Sequence, residues 1–126
     1  MKALGIDYGE KKIGLSLSAG NLDMPWKILK DFTGEQAVID ILKEIILTED
    51  ISVIVIGSPL SLSGEKGTQA RLVDVFIDHL KVEISIPVVS IDERMTSGLS
   101  KKLGAGADDD ALAAAQILQT YLDKIH

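Results

Sequence analysis

The sequence predicts an α/β fold in which a mixed five-stranded sheet is flanked by helices, in the order βββαβαβα. Three observations predict it: two short apolar runs near the start are separated by a turn, a continuous β-branched run lies mid-chain, and helical periodicity alternates with the later strands. Crossover helices join those later strands, which requires parallel pairing. At 126 residues, we expect one domain, 1–126, with one core.

The first three strands are predicted close together. Ala3–Asp7 and Lys12–Ser18 are apolar or alternating runs, and the Tyr8–Lys11 segment between them has the residues of a turn. The chain therefore opens with a hairpin. Trp26–Leu29 is predicted as a third, short strand entered through Pro25, whose missing N–H suits a strand start or an edge position.

The remaining segments alternate between helix and strand. Helical spacing of apolar residues or a well-formed helical pattern marks Gly34 to Asp50, Ala70 to Leu80 and Asp109 to Lys124. Ser52–Ile56 is typical of a central strand, and Pro87–Ile91 is the fifth strand. Met95–Leu103 is weakly helical, and Gly104–Ala107 is a flexible break. In such sheets, ligands usually bind at the carboxyl ends of the strands.

Composition limits the classes of protein. The absence of cysteine excludes disulfides and thiolate sites, so any metal must bind oxygen or histidine ligands. No secretory cleavage pattern and no apolar stretch of membrane length is visible, so we expect a cytoplasmic protein with no membrane partner. The net charge of -6 counts against a simple nucleic-acid binder, although divalent cations held by carboxylates would neutralise part of it.

Acidic residues follow two of the predicted strands. Asp7 closes the first strand, where an acid replaces the expected apolar side chain, although Asp also simply initiates turns. Asp92 and Glu93 follow the fifth strand, and adjacent residues of an extended chain point to opposite sides, so only one is expected to face Asp7. We favour Glu93 for its longer stem. The alternative is a surface charge pair with Arg94.

A third acidic segment, Asp108–Asp110, begins the last helix. At least one of these residues is expected to be structural, because Asp is a preferred N-cap and the helix dipole favours carboxylates in the first turn. Another can project toward the other acids. Three carboxylates from distant segments would form the oxygen site that Mg²⁺ or Mn²⁺ prefers, and two such ions about 4 Å apart activate water for phosphodiester hydrolysis.

Four motifs stand in order along nearly the whole chain: Gly5-Ile6-Asp7-Tyr8-Gly9 with Lys12-Ile13-Gly14, Gly57-Ser58-Pro59-Leu60 through Gly64, Asp92-Glu93-Arg94-Met95-Thr96, and Asp110-Ala111-Leu112-Ala113-Ala114. Together they resemble the YqgF-type family of pre-16S ribosomal RNA nucleases, also described as Holliday junction resolvases. Three departures bear on substrate affinity rather than on the fold: the central loop lacks the usual Asn and Asp, Ser100 replaces a common small apolar residue, and the segment before Asp110 is short and lysine-poor.

The resemblance implies a ribonuclease H-like fold related to the RuvC-type resolvases. Its acidic residues carry over onto Asp7, Glu93 and Asp110 as catalytic and metal-binding residues, with Asp92 left open. The implied cofactor is Mg²⁺ or Mn²⁺, as two ions, with Asp7 shared between them and water as the nucleophile. The implied partner is nucleic acid, either structured precursor rRNA or branched DNA, and the implied state is a monomer or homodimer.

Local basic residues support a polyanionic substrate despite the overall charge. Lys11 and Lys12 follow the first acid, Arg71 begins the second helix, Arg94 follows the second acid, and Thr96 completes the same motif. We expect these residues to bind nucleic acid. The alternative interpretation of the basic residues is ordinary solvated surface charge, and it suits Lys101 and Lys102 better than Arg94.

Processing of the 5′ end of pre-16S rRNA is the preferred function, because the resemblance points first to rRNA maturation. Holliday junction cleavage remains an alternative, since no residue separates the two. Actin-like and sugar-kinase domains also begin with an Asp-x-Gly hairpin, but they hold a nucleotide between two such domains and this chain supplies one. A non-catalytic nucleic-acid-binding or nucleotide-binding module is the third possibility.

Overall fold

A computed structural model of the chain describes residues 2–9, 11–19, 22–58, 68–92 and 109–125. Within these ranges the chain forms, in order, β1 (Ala3–Asp7), β2 (Lys12–Ala19), β3 (Leu22–Lys30), α1 (Glu35–Glu49), β4 (Val53–Ser58), α2 (Thr68–Glu83), β5 (Val88–Asp92) and α3 (Asp109–Ile125). The predicted order is confirmed. The weakly helical Met95–Leu103 and the Gly104–Ala107 break lie outside the described residues. None of the described helices combines the length and the hydropathy needed to cross a membrane.

The five strands form one mixed sheet in the order β3-β2-β1-β4-β5. The strands β1, β2 and β3 pair antiparallel, and β1, β4 and β5 pair parallel. The central strand β1 therefore joins the hairpin half of the sheet to its parallel half. Because β1, β4 and β5 run in the same direction, their carboxyl ends meet at one edge of the sheet, which is the usual place for a functional site in such folds.

The edge strand β3 is longer than the predicted Trp26–Leu29. Pro25 lies inside it rather than at its start. Proline is tolerated here because an edge strand has one side without a partner strand. Trp26 has no partner in β2, since Pro25 pairs with Ser16 and Lys27 pairs with Leu15, so Trp26 is a β-bulge. Of the two placements of Pro25 that the sequence left open, the edge position is observed, and the predicted start of the strand was wrong.

The helices α1 and α2 cover one face of the sheet, where Leu4 and Ile6 of β1 are fully buried. Large apolar side chains from the strands and both helices fill this core, including Leu42 of α1 and Phe76 of α2. Burying each such side chain contributes about 1.5–3 kcal/mol. This face therefore carries most of the hydrophobic stabilisation.

The helix α3 covers the opposite face, where β1 presents Ala3 and Gly5. A Cβ placed on Gly5 would lie 2.8 Å from the carbonyl oxygen of Ala114 and 2.9 Å from Leu118 Cβ. The buried Ser16 of β2 donates a hydrogen bond of 2.9 Å from its Oγ to the same Ala114 carbonyl. The backbone of α3 thus lies directly against the sheet, a distance that only small residues permit.

Candidate active site

Asp7 is the last residue of β1, at the edge where the parallel strands end. Its partner in β2 is Gly14. On the other side, Ile6 pairs with Ile56 of β4, so the next residue of β4, Gly57, is the neighbour of Asp7. The Asp7 side chain is half-buried. The residues beside Asp7 on both neighbouring strands are therefore glycines, which place no side chain next to it.

The direction of α3 relates its start to Asp7. Ala3, Gly5 and Asp7 lie on one face of β1, because side chains two residues apart in a strand share a face. Ala3 belongs to the apolar cluster that contains Leu122, whereas Gly5 faces Ala114. The helix therefore runs antiparallel to β1, with its N-terminus toward the end of β1 that carries Asp7.

Asp110 is the second residue of α3, four residues before Ala114. Four helical residues rise about 6 Å, and two strand residues span about 7 Å. The distance along α3 from Ala114 back to Asp110 is therefore close to the distance along β1 from Gly5 to Asp7. The backbone of Asp110 lies at the Asp7 end of the sheet, while the side chains of Asp109 and Asp110 are outside the described part of the structure.

The third predicted carboxylate, Glu93, lies outside the described residues, as do Arg94 and Thr96. The described chain reaches Asp92, which ends β5 and pairs with Ser58 of β4. The carboxyl end of β5 is thereby delivered to the same edge as those of β1 and β4. Within the side chains that the structure describes, no group of three His, Asp or Glu residues is arranged to hold a metal ion.

Two contacts hold the turn that follows Asp7. The Tyr8 ring stacks on Phe76 of α2, with centroids 4.2 Å apart and an interplanar angle of 23°. A Cβ on Gly9 would lie 2.6 Å from the carbonyl oxygen of Lys12, so the returning strand passes too close for any side chain at this position. The turn is therefore anchored to α2 on one side and packed against β2 on the other.

The predicted basic residues that the structure describes lie in two places, at the start of β2 and near the start of α2. Lys11 and Lys12 are exposed at the start of β2, and Lys12 pairs with the exposed Lys30 at the end of β3. Arg71 is exposed near the start of α2, on the side of the sheet opposite α3. Lys30 was missed by the sequence reasoning, because β3 was predicted to stop at Leu29 and its register could not be known.

Among the described residues, the groups with a shifted pKa lie away from this edge. Burial raises the pKa of Asp23, and the nearby Asp123 adds to that effect. A hydrogen bond from Lys43 lowers the pKa of Glu83, and a second from His79 acts in the same direction. The Lys43, His79 and Glu83 group links α1 to α2, so its role is in packing rather than in the site.

The element order and the mixed sheet are those of the ribonuclease H-like fold. The structure of Thermus thermophilus RuvC in complex with a Holliday junction substrate matches 98% of this chain and 96% of that chain with a TM-score of 0.65. A second structure of T. thermophilus RuvC matches with a TM-score of 0.59. The sequence identity is 14% in both cases, so this likeness establishes the fold. The predicted fold class is confirmed.

The sequence places the chain more closely, since residues 1–124 match the RuvX family, described as Holliday junction resolvase. Relatives named "Putative pre-16S rRNA nuclease" include one from Sulfurihydrogenibium sp. strain YO3AOP1, 38% identical over 98% of this chain and 91% of its own. Another, from Endomicrobium trichonymphae, is 34% identical over 97% and 95%. The chain belongs to the RuvX family and is a nuclease, a hydrolase of phosphodiester bonds, which confirms the family predicted from the four motifs.

Proposed function

We propose that this chain is a metal-dependent nuclease that acts in the 5′-end processing of pre-16S rRNA, with Asp7, Glu93 and Asp110 as its catalytic and metal-binding carboxylates. The observation that carries the proposal is the position of Asp7, half-buried at the carboxyl edge between two glycine-bearing strands, with the N-terminus of α3 directed toward it. The substrate is supported by the names of the curated relatives. The proposed location is the cytoplasm, and the proposed state is a monomer or homodimer.

The donor set fits a hard divalent cation. The proposed ligands are carboxylate oxygens, which Mg²⁺ and Mn²⁺ prefer, and the glycines beside Asp7 leave room near its carboxylate. The choice of Glu93 over Asp92 is supported by strand parity. Ile91 packs in the cluster under α3, on the Asp7 side of the sheet, and Glu93 stands two residues after it in the sequence.

The proposed roles follow from these positions. Asp7 would be the ligand shared by both ions, and Glu93 and Asp110 would be outer ligands. When bound, two ions lower the pKa of a water molecule and neutralise charge on the leaving oxygen. Asp7 is positioned by β1, and Asp110 would be positioned by α3. We assign phosphate binding to the predicted basic and polar residues Lys11, Lys12, Arg71, Arg94 and Thr96. Of these, Arg71 lies on the face of the sheet opposite Asp7, so it would contact a part of the substrate away from the bond that is cut.

Cleavage assays with an Asp7→Asn variant test this proposal. The protein is incubated with Mn²⁺ or Mg²⁺ and three substrates: a precursor 16S rRNA fragment with its 5′ extension, an unrelated single-stranded RNA and a four-way DNA junction. We expect the precursor to be cut and the variant to lose about a thousandfold in rate, or about 4 kcal/mol. Its melting temperature should be equal or higher, because neutralising one of several clustered acids removes repulsion.

The matched control is Asp78→Asn, which makes the same change in charge at an exposed position of α2 and should keep the parent rate. If Asp7→Asn cleaves at the parent rate, Asp7 has a structural role and the proposal is wrong. Cleavage of the junction alone would favour the resolvase alternative, which the RuvX description supports. Binding without cleavage of any substrate, with either metal, would identify a non-catalytic module.

A further inference from the structure

Two lysines face each other across the β2–β3 pair, next to the candidate active site. Lys12 is the first residue of β2 and Lys30 the last residue of β3, and they are register partners. Both are exposed, and no ion pair in the described part of the chain involves either of them. Like charges directly opposite on antiparallel strands are destabilising. The pair therefore costs stability, and no ion pair among the described residues offsets this cost.

Both lysines lie on the same face of the sheet as Asp7. Ile13 belongs to the core under α1 and α2, so its neighbours Lys12 and Gly14 take the α3 side by strand alternation. Gly14 is the strand partner of Asp7. Lys12 precedes Gly14 in β2 by two residues, or about 7 Å, and Lys30 lies on the neighbouring strand, about 5 Å to the side of Lys12.

The backbone fixes where both lysines stand. The bulge at Trp26 shifts the register of β3 by one residue, and without it Leu29 rather than Lys30 would lie opposite Lys12. Gly9 packs against the carbonyl oxygen of Lys12. Directly after Lys30, Asp31 has a left-handed φ of 57°, which turns the chain out of the strand. The pairing of the two positive charges is therefore built into the fold.

We propose that Lys12 and Lys30 together bind one backbone phosphate of the nucleic-acid strand, on the β3 side of the bond that is cut. The inference rests on the proposed function, because Asp7 marks the point of cleavage. One phosphate between two ammonium groups converts their repulsion into two attractive contacts. Such a contact positions the strand without reading its sequence. Lys30 is thereby assigned to substrate positioning.

Binding measured without metal tests this inference apart from catalysis. A fluorescein-labelled single-stranded RNA and a labelled four-way DNA junction are titrated with protein in EDTA at several KCl concentrations. We expect Lys30→Gln to weaken RNA binding about three- to tenfold. The Lys12→Gln, Lys30→Gln double variant should lower the slope of log affinity against log salt by about 0.7, the value for one phosphate on a single strand, and not by twice that amount.

The control is Lys27→Gln, which makes the same charge change in the same strand. Lys27 pairs with Leu15, a core residue on the α1 side, and its Nζ lies 4.1 Å from the centroid of the Trp26 ring. The Lys27→Gln variant should bind the RNA probe with the same affinity as the parent protein. Lys30→Gln should also keep or raise the melting temperature at low salt, because it removes a repulsion, whereas loss of a structural lysine would lower it.

A second measurement replaces single phosphates of the probe by neutral methylphosphonates. One replacement should cost the parent protein affinity and cost the double variant nothing. The inference is overturned if Lys30→Gln binds like the parent, if Lys27→Gln weakens binding equally, or if the parent binds neither probe. Lysine-dependent binding without any cleavage would instead remove the proposed function and leave the phosphate site standing.

Discussion

On the α1 and α2 face of the sheet, the buried side chains are large, whereas on the α3 face many are small. The first face buries Leu4, Ile6, Leu42 and Phe76; the second buries Ala3, Ser16, Ala111, Ala114 and Ala115. Large side chains supply most of the burial free energy. Small ones let the backbone of α3 lie against β1 and β2, so that direct contact sets the position of the helix. Stability and site geometry are thus assigned to opposite faces of the sheet.

The largest expected effect is on the first face. Leu42→Ala removes a fully buried side chain of α1 and should lower the free energy of unfolding by about 2–5 kcal/mol, because it leaves a cavity. Leu47→Ala, in the same helix at a position 83% exposed, should change it by less than about 0.5 kcal/mol. Urea denaturation measures both. The cleavage rate per folded molecule should not change. A large loss of cleavage by folded Leu42→Ala would show that the α1 and α2 face also sets the geometry of the candidate site.

On the α3 face, Gly5→Ala should cost about 1–3 kcal/mol, because the new Cβ meets Ser16 Oγ and the backbone of α3. Here the cleavage rate per folded molecule should also fall, since a shift of α3 moves Asp110. Adding Ser16→Ala removes one of the three close contacts and should restore the free energy of unfolding only in part. Full recovery of stability and rate in the double variant would show that the α3 backbone is not the constraint.

The smallest expected effect concerns the charged link between α1 and α2. Lys43 Nζ lies 2.7 Å from Glu83 Oε1, and this hydrogen bond is the main cause that lowers the pKa of Glu83 from its ordinary 4.5. Because the folded-state pKa is depressed, the stabilisation is fully present above 4.5 and is lost as pH falls through the lower folded value. The effect should be small and salt-sensitive, since both groups are partly exposed.

Melting temperatures between about pH 6 and pH 3, at low and high salt, measure this dependence. Glu83→Gln should flatten the acid part of the curve at low salt. Glu44→Gln, the same change at an exposed position of α1, is the matched control for the loss of one negative charge. Identical curves for Glu83→Gln and the parent protein would show that this link contributes nothing to the stability of the α1 and α2 face.

The limits of sequence-based prediction are clearest at β1 and β3. The bounds of β1 were predicted as observed, because an apolar run ends in an acid and a turn. β3 was predicted too short, because Pro25 interrupts the apolar pattern and an edge strand packs too little to show a strong one. The position of Asp7 at the carboxyl edge follows from the topology. The Lys12–Lys30 pair does not, since it depends on a register that one bulged residue changes.

The irregularity of β3 also affects how the molecule meets other copies of itself. A nine-residue strand at the edge of a sheet presents a row of backbone donors and acceptors that a foreign strand can extend into an aggregate. Pro25 lacks a donor, and the bulge at Trp26 breaks the regular spacing of the row. Lys27 and Lys30 add charge to what remains. One extra residue in the strand therefore both discourages edge-to-edge association and brings Lys30 opposite Lys12.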